Sequence, residues 1–427
     1  LPAFYNNLFL GAGISCLSAA RLSRGDYLVL EAEEKPGGLC RSEKLNGYVF
    51  DRTGHLLHLR RPAIRRWVKN LLAGNLLLHR RQAWIFSHGV FTRYPFQANF
   101  FGLPPQVATE CLLGVLNAHL RRGPRPRHFS GWARAVFGEG VARHFLLAYN
   151  RKLWTVPPEE LTTEWLDRFV PVPDLERVVR GALEDLADDL GYNACFYYPL
   201  KGGIQSLVDA LGRGLRISCG RRVVGIDLRR RLVHLEDGEL VAFGRLISCL
   251  PLVELVKMCQ PLPKRVLLAA RRLRWASVYN LNLGLRRPAP NHHWVYVPES
   301  KYRPYRFGWA SNFSPAMAPR GCSNLYLEFS FPGGTRPRPD IWRRWLLEDT
   351  RRLGLVGSTA EIDTIQEFVL PYAYVIYDRQ RTPAVKTILR FFESHQVFSI
   401  GRYGRWQYSS MEDALEEGRR LAARLKT

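Results

Sequence analysis

The stretch LFLGAGISCLSAARL, residues 8–22, decides the fold. Apolar LFL ends at Gly11, a second glycine follows at Gly13, and small residues fill the next two turns, so the order is strand, tight turn, helix. In a dinucleotide fingerprint G-x-G-x-x-G the first glycine makes the turn, the second lets backbone approach a pyrophosphate, and the third packs helix on strand. Gly11 and Gly13 are in place, and Cys16 holds the third position. A small thiol there costs packing rather than phosphate binding, so Cys16 reads as structural. The next apolar run, YLVL (27–30), ends at Glu31, 20 residues after Gly11, where this fold places an acid on the ribose hydroxyls. The chain therefore opens with a βαβ unit that binds a dinucleotide.

A chain of 427 residues, 46% of them hydrophobic, is long enough for two or three domains and a sizeable core. Its formal charge of +24 comes from 62 Lys and Arg against 38 Asp and Glu, with arginine dominant. Such a balance suits an anionic ligand such as a nucleotide, a nucleic acid or an acidic membrane surface. The basic runs are dispersed, as in RRGPRPRHF (121–129), DLRRRL (227–232) and RRWLLEDTRR (343–352), with no basic tail and no nucleic-acid-binding module. They read as a solvated, arginine-biased surface with no nucleic-acid partner. Eight scattered cysteines without C-x-x-C, and eleven histidines without H-E-x-x-H, point to no metal and to a reducing compartment. No apolar run approaches the roughly 18 residues of a spanning helix, and no signal peptide precedes the first strand, so the expected location is cytoplasmic.

Beyond the opening unit the texture changes several times. Residues 104–120, 131–150 and 174–190 carry apolar side chains at helical spacing, and 222–251 reads as short strands with an E-D-G turn. Residues 276–331 contain longer alternating segments, ASVYNLNLGL, HHWVYVP, RFGWASN and NLYLEFSF, which suit an antiparallel sheet with one face open to a ligand. The C-terminal segment 396–425 ends as strand, loop and helix. The expected class is α/β: a discontinuous Rossmann-type dinucleotide-binding domain (1–85, 196–265 and 386–427), a helical insertion (86–195) and an antiparallel sheet domain for the substrate (266–385).

The segment EKPGGLCRSEKLNGYVFDRTGHLLH (34–58) resembles the amine oxidase and protoporphyrinogen oxidase-like flavoproteins. RYPFQANF (93–100), YNRKLWTVPPEELTTEWL (149–166), YNACFYYPLKGG (192–203), WVYVPESKYRPYRFGWASNFSP (294–315) and GRYGRWQYSSMED (401–413) narrow the resemblance to the UDP-galactopyranose mutase family. It implies an FAD enzyme whose reduced flavin N5 attacks the anomeric carbon of a nucleotide-linked sugar, a UDP-sugar first of all. Pyranose and furanose forms interconvert with no net redox change, as in carbohydrate biosynthesis, and NADPH, NADH or a partner reductase supplies the electrons.

The same resemblance assigns roles. Gly11, Gly13, Glu31, Gly38, the residue at position 39 taken as the second glycine of the pair, Arg41 and Val223 would hold the cofactor. His55 would touch the flavin, Arg402 would contact it, and Met411 and Glu412 would open a helix whose N–H groups face its reduced edge. Arg306, ten residues after Tyr296, would grip the diphosphate in two-pronged fashion, with Tyr374 and Tyr408 as further ligands. Phe96 and Gln97 would meet the base, and Asn150, Trp154 and Asn193 would line the cleft. Such a site needs cations for a diphosphate, stacking for a base and few acids near the anomeric carbon. Taken alone, Phe96 and Trp154 read as core, His58 as structural, and the acids after Ser410 as an ordinary helix start.

Three positions depart from the family's pattern: Cys16, Thr53 in place of the first glycine of the flavin-side loop, and the second phosphate arginine. That arginine lies 14 or 15 residues after the tryptophan, which gives Arg168 in one register and Phe169 in the other. With Phe169 one charge-assisted contact, worth about 1.5–3 kcal/mol, is missing. Two alternatives stand beside the mutase: an oxidase or dehydrogenase using oxidised FAD on an amine or a carbon–carbon bond, and a non-enzymatic protein keeping the shell for an acidic partner. The sugar, the base and the oligomeric state are not set by these residues.

Overall fold

The computed structural model describes residues 2–121, 123, 126–166, 169–186, 190–191 and 194–425. Two sheets organise them. In the first, an eight-stranded sheet, Ala3–Leu10 lies between Tyr27–Leu30 and Leu240–Ser248 and is parallel to both. Val397–Ser399 adds a parallel partner on Leu240–Ser248. Leu10 pairs with both Leu30 and Ser248, and Ser248 pairs with Ser399, so four carboxyl ends line up. Gly11, Glu31, Cys249 and Gly401 consequently meet along one edge, where ligands of open parallel sheets bind.

The two ends of the chain close this domain together. Helix Ile14–Leu22 packs on helix Met411–Arg424, and Gly418 is required there, since a Cβ would stand 2.3 Å from the Ser15 carbonyl oxygen. The Ser18 hydroxyl donates to the Leu415 carbonyl at 2.7 Å. Cys16 is fully buried at the contact between helix and strand, its thiol directed to the Leu10 and Ile247 carbonyls.

The second, seven-stranded sheet runs in the order Ile362–Val375, Trp275–Leu285, Ser323–Pro332, Arg306–Trp309, Trp294–Tyr296, Ala83–Ser87, Val90–Arg93. Of the last two strands one spans residue 85 and the other follows it, so this sheet recruits chain from well before its expected start at 266. Alternation separates its faces. Tyr279, Leu281, Leu283, Leu325, Leu327 and Phe307 join a core with Trp342 and Leu346 of helix Pro339–Arg352. Asn280, Asn282, Tyr326, Glu328, Arg306 and Tyr296 occupy the alternate positions and so share the other face.

Helices Pro105–Leu120 and Phe129–Val141 approach closely at glycines: a Cβ on Gly138 would meet the Gly114 carbonyl at 2.1 Å. Gly138 also breaks the second helix, with φ +76°. Helix continues through a wider turn at Ala142–Leu146 into Leu147–Trp154. The helix expected over 174–190 ends at Leu183, where Glu184 turns extended.

Candidate active site

At the sheet edge, Gly11 has φ +84°, a conformation that L side chains rarely adopt, and its N–H donates to Leu30. A Cβ on either Gly11 or Gly13 would lie 3.1 Å from the Cys249 sulfur. Gly13 caps helix Ile14–Leu22 and, having no side chain, leaves the first N–H groups of the helix uncapped by its own residue. The buried Glu31 carboxylate accepts from the N–H groups of Ala12 at 2.7 Å and Glu33 at 3.0 Å. The glycine pair counts as Gly37 and Gly38, so position 39 is Leu39, partly buried against the core, and cannot serve as a second glycine. Gly38 takes φ +58° beside Gly13. Arg41 is buried, with one nitrogen on Glu43 at 2.9 Å and with Nε and Nη1 lacking hydrogen bonds. Val223 begins a strand just after Arg221, whose N–H holds the Glu31 carbonyl at 2.8 Å.

At the far end of the same domain, Ser410 and Asp413 form a reciprocal cap on helix Met411–Arg424. Glu412 is buried and accepts from the Arg61 N–H at 2.6 Å and its guanidinium at 3.2 Å, while Met411 takes the Cys40 thiol at 3.6 Å. The expectation of an acidic helix start holds, and its acids are already engaged.

On the sheet face, register does what spacing foreshadowed. Tyr296 is directly opposite Arg306, Arg306 opposite Glu328, and Glu328 opposite Asn280, so four polar side chains form one row across four strands. The Arg306 guanidinium gives its two prongs to Glu328, Nε at 2.9 Å and Nη2 at 2.8 Å. Glu328 is fully buried and also accepts from the Tyr305 hydroxyl at 2.5 Å and the Gly54 N–H at 3.4 Å. This carboxylate was not anticipated. Its only trace in the sequence is the one charged residue of the alternating segment NLYLEFSF. It replaces the expected diphosphate in the arginine's fork, leaving Nη1 without a hydrogen-bond partner among the described residues.

The row faces the loop that departs from the family pattern. The Asn280 amide donates to the Arg52 carbonyl at 2.7 Å, and the Thr53 hydroxyl meets the His55 Nδ1 at 3.0 Å, so the substituted threonine orients the histidine. Burial, reinforced by Arg402 and Arg306 against the pull of Glu328, lowers the His55 pKa to about 4 and keeps the imidazole neutral. His58 contacts the Cys195 carbonyl and the Phe196 ring, as a structural residue would.

Around the row stands an aromatic wall. The Tyr305 and Tyr374 hydroxyls lie 3.2 Å apart, and the Arg402 guanidinium sits 5.4 Å from the Tyr374 ring and 4.7 Å from that of Tyr408. Arg402 is tied by the Ser409 carbonyl at 2.7 Å and the Ala373 carbonyl at 3.1 Å. Trp154, fully buried, backs both tyrosines edge-on at 5.7 and 5.6 Å and donates to Asn150, whose amide returns to its own helix at Leu146. Phe96 is fully buried and stacked on Phe145 at 5.1 Å, and Gln97 donates to the Pro171 carbonyl at 2.7 Å. Phe169 packs on Tyr408 at 4.5 Å. Arg168 and Asn193 lie outside the described residues.

Lys152 also escaped the sequence reading. Its ammonium group donates to the carbonyls of Val297, Glu299 and Pro304 at 2.7, 3.1 and 2.7 Å, pinning the loop between Tyr296 and Arg306 to the helical insertion. Beside Tyr408, a cleft of about 470 Å³ opens between Phe169, Ser409 and Arg61.

The family model for flavin containing amine oxidoreductase matches residues 12–426. The chain belongs to that family. Among solved structures it is similar to a reduced UDP-galactopyranose mutase, at 25% identity with a TM-score of 0.91 over 99% of this chain and 95% of that one. Other members of the fold are more distant. Putrescine oxidase bound to putrescine matches at 15% identity and TM-score 0.68, and a fatty acid isomerase from P. acnes at 13% and 0.67, each over 99% of both chains. The resemblance read from the motifs thus stands, and so does the α/β flavoprotein fold. Among the described residues no helix is long and apolar enough to cross a membrane, and no cluster of ligands could hold a metal.

Proposed function

We propose that this chain is an FAD-dependent mutase of nucleotide sugars, interconverting pyranose and furanose forms of UDP-galactose or a close relative. The observation that carries the reading is the cross-sheet row Tyr296, Arg306, Glu328 and Asn280, facing the His55 loop inside a wall of tyrosines. The likeness to UDP-galactopyranose mutase along both chains supports it.

The residues at the sheet edge fit FAD. Gly11 and Gly13 leave a cradle that a Cβ would fill, the helix start carries N–H groups for the diphosphate, buried nitrogens of Arg41 lack hydrogen bonds among the described residues, and Glu31 stands at the ribose position. Val223 would flank the adenine, and Arg402, His55 and the Met411–Glu412 helix start would border the ring. When bound and reduced, the cofactor supplies the nucleophile for the anomeric carbon, with NADPH, NADH or a reductase as the electron source.

The protein's own part is electrostatic. Arg306 meets the diphosphate through Nη1 while Glu328 holds the guanidinium plane still, and Tyr374, Tyr408 and Tyr296 add hydroxyls. Compensation by Glu328 moderates the grip on an anion that must leave and return. Neutral His55 adds no second cation. Phe96, Gln97, Asn150 and Trp154 act behind the tyrosines, holding the wall rather than touching the sugar. The domain division at 85, 195, 265 and 385 is kept in this proposal, with Ala83–Ser87 and Val90–Arg93 lent to the substrate sheet.

Incubation of the dithionite-reduced protein with UDP-galactose, followed by chromatography for the furanose, tests the proposal. Conversion only under reducing conditions is expected; no conversion of any UDP- or GDP-sugar refutes it. Glu328 favours one second reading, because a buried carboxylate within an aromatic wall also suits a substrate ammonium group, as an amine oxidase needs. That reading requires flavin reduction by an amine without added reductant.

A further inference from the structure

Arg41 has a neighbour that the sequence reading did not single out. In the hairpin of Ser42–Leu45 and Tyr48–Asp51, Ser42 is opposite Asp51, and one step further the Arg52 N–H donates to the Arg41 carbonyl at 3.2 Å. Arg41 and Arg52 are thereby cross-strand neighbours, and their side chains leave the ribbon on the same face. Like charges directly opposite repel, so such a pair is costly unless an anion joins it.

The acids nearby answer only part of that charge. Glu43 holds one Arg41 nitrogen at 2.9 Å and Glu33 stands 3.7 Å from another, while no ion pair to Arg52 occurs among the described residues. Arg41 Nε, Arg41 Nη1 and Arg52 Nε are buried without hydrogen bonds. Burial first and then Arg41 lower the pKa of Arg52, against the pull of Glu43, Glu33 and Glu31. The Arg41 donors border the phosphate turn, and Arg52 stands beside them across the hairpin. A Cβ on Gly37 would lie 3.0 Å from Arg41 Cγ, the Gly37 N–H holds the Ala12 carbonyl at 2.9 Å, and Gly38 stands against Gly13.

We infer that Arg41 and Arg52 form the side-chain half of the site for the diphosphate of FAD, facing the backbone half made by Gly11, Gly13 and the start of helix Ile14–Leu22. Arg52 is the new member, a cofactor-binding residue drawn from a position flanked by Asp51 and Thr53. The inference rests on the FAD reading above. A dinucleotide diphosphate would join two guanidiniums that otherwise repel, and charge-assisted hydrogen bonds would fill their empty donors.

The test is FAD titration of the apoprotein, followed by flavin fluorescence, for wild type, Arg52→Gln and Arg52→Lys. Arg52→Gln is expected to weaken FAD by about 10- to 100-fold in dilute salt, with Arg52→Lys between it and wild type. The gap between wild type and Arg52→Gln should narrow as salt rises from about 0.05 to 0.5 M, because the partner is an anion. Affinity within twofold of wild type, or a gap that salt leaves unchanged, overturns the inference and leaves FAD binding standing. A wild-type apoprotein that takes up no FAD overturns both. Should Arg52→Gln fail to fold, Arg52→Lys carries the test: its loss must again shrink with salt.

Discussion

The two halves of the proposed site are built by different means. At the nucleotide end, backbone does the work: Gly11 turns at φ +84°, Gly13 leaves a helix start open, and Glu31 closes on the turn through two N–H groups. At the sheet end, side chains from four strands form a charged row in which Arg306 gives Nε and Nη2 to Glu328. The first arrangement depends on shape and tolerates no added atom. The second depends on charge balance and should respond to substitutions that keep shape. Backbone changes should therefore act on flavin, and isosteric charge changes on nucleotide affinity.

The largest effect is expected from Gly11→Ala. A methyl group would enter a left-handed position 3.1 Å from both Cys249 Sγ and Leu250 Cδ2, and strain of about 1–2 kcal/mol adds to a displaced turn. Purified variant should carry little or no flavin, read from its visible spectrum. Normal flavin content would break the division drawn between the two ends.

Glu328→Gln keeps the shape and removes the charge. Taking one member from a buried pair costs about 3–5 kcal/mol, so thermal stability should drop while flavin content stays. UDP should then bind more tightly than to wild type, because the Arg306 charge is no longer compensated. Weaker UDP binding in a folded, flavin-loaded variant would show that Glu328 serves nucleotide binding in some other way.

His55 sharpens the comparison through pH. Its pKa, lowered to about 4 against an ordinary 6.5, means that the unfolded chain binds the proton more readily between those values. Its contribution is present above about pH 6.5 and is lost as pH falls toward 4. Chemical denaturation of wild type and His55→Gln should converge over that interval, with a difference of about 3 kcal/mol disappearing. A difference that grows on acidification would reverse the sign and place a charged imidazole in the folded protein.

Cys16→Gly should change least. The thiol is buried between helix and strand, where it points to the Leu10 and Ile247 carbonyls rather than to the backbone N–H groups that would meet a phosphate. Flavin retention should be equal to or modestly above wild type; a large loss of flavin would give the thiol a role beyond packing.

How much of this was legible follows from the same contrast. The nucleotide end is local, since turn, helix start and acid lie within 21 residues, and each leaves its mark as a residue type at a fixed offset. Arg306 and Tyr296 were visible for a similar reason, as the two sides of one hairpin. Glu328, 22 residues beyond Arg306, becomes a neighbour only through register, which alternation suggests but does not specify. Lys152 is more hidden, because its partners are three backbone carbonyls of a distant loop, and no residue type announces them. Trp154 shows the reverse case: the motif marked it for the cleft, and packing sets it behind Tyr374 and Tyr408.

In the proposed function the charged row, not the nucleotide end, receives the diphosphate of a sugar nucleotide. Calorimetric titration of UDP into the reduced, flavin-loaded protein, wild type against Arg306→Met, tests it most directly. Wild type should bind UDP, and Arg306→Met should lose about 10- to 100-fold in affinity with its flavin retained. Equal affinity in the two proteins, with flavin bound in both, would contradict the assignment.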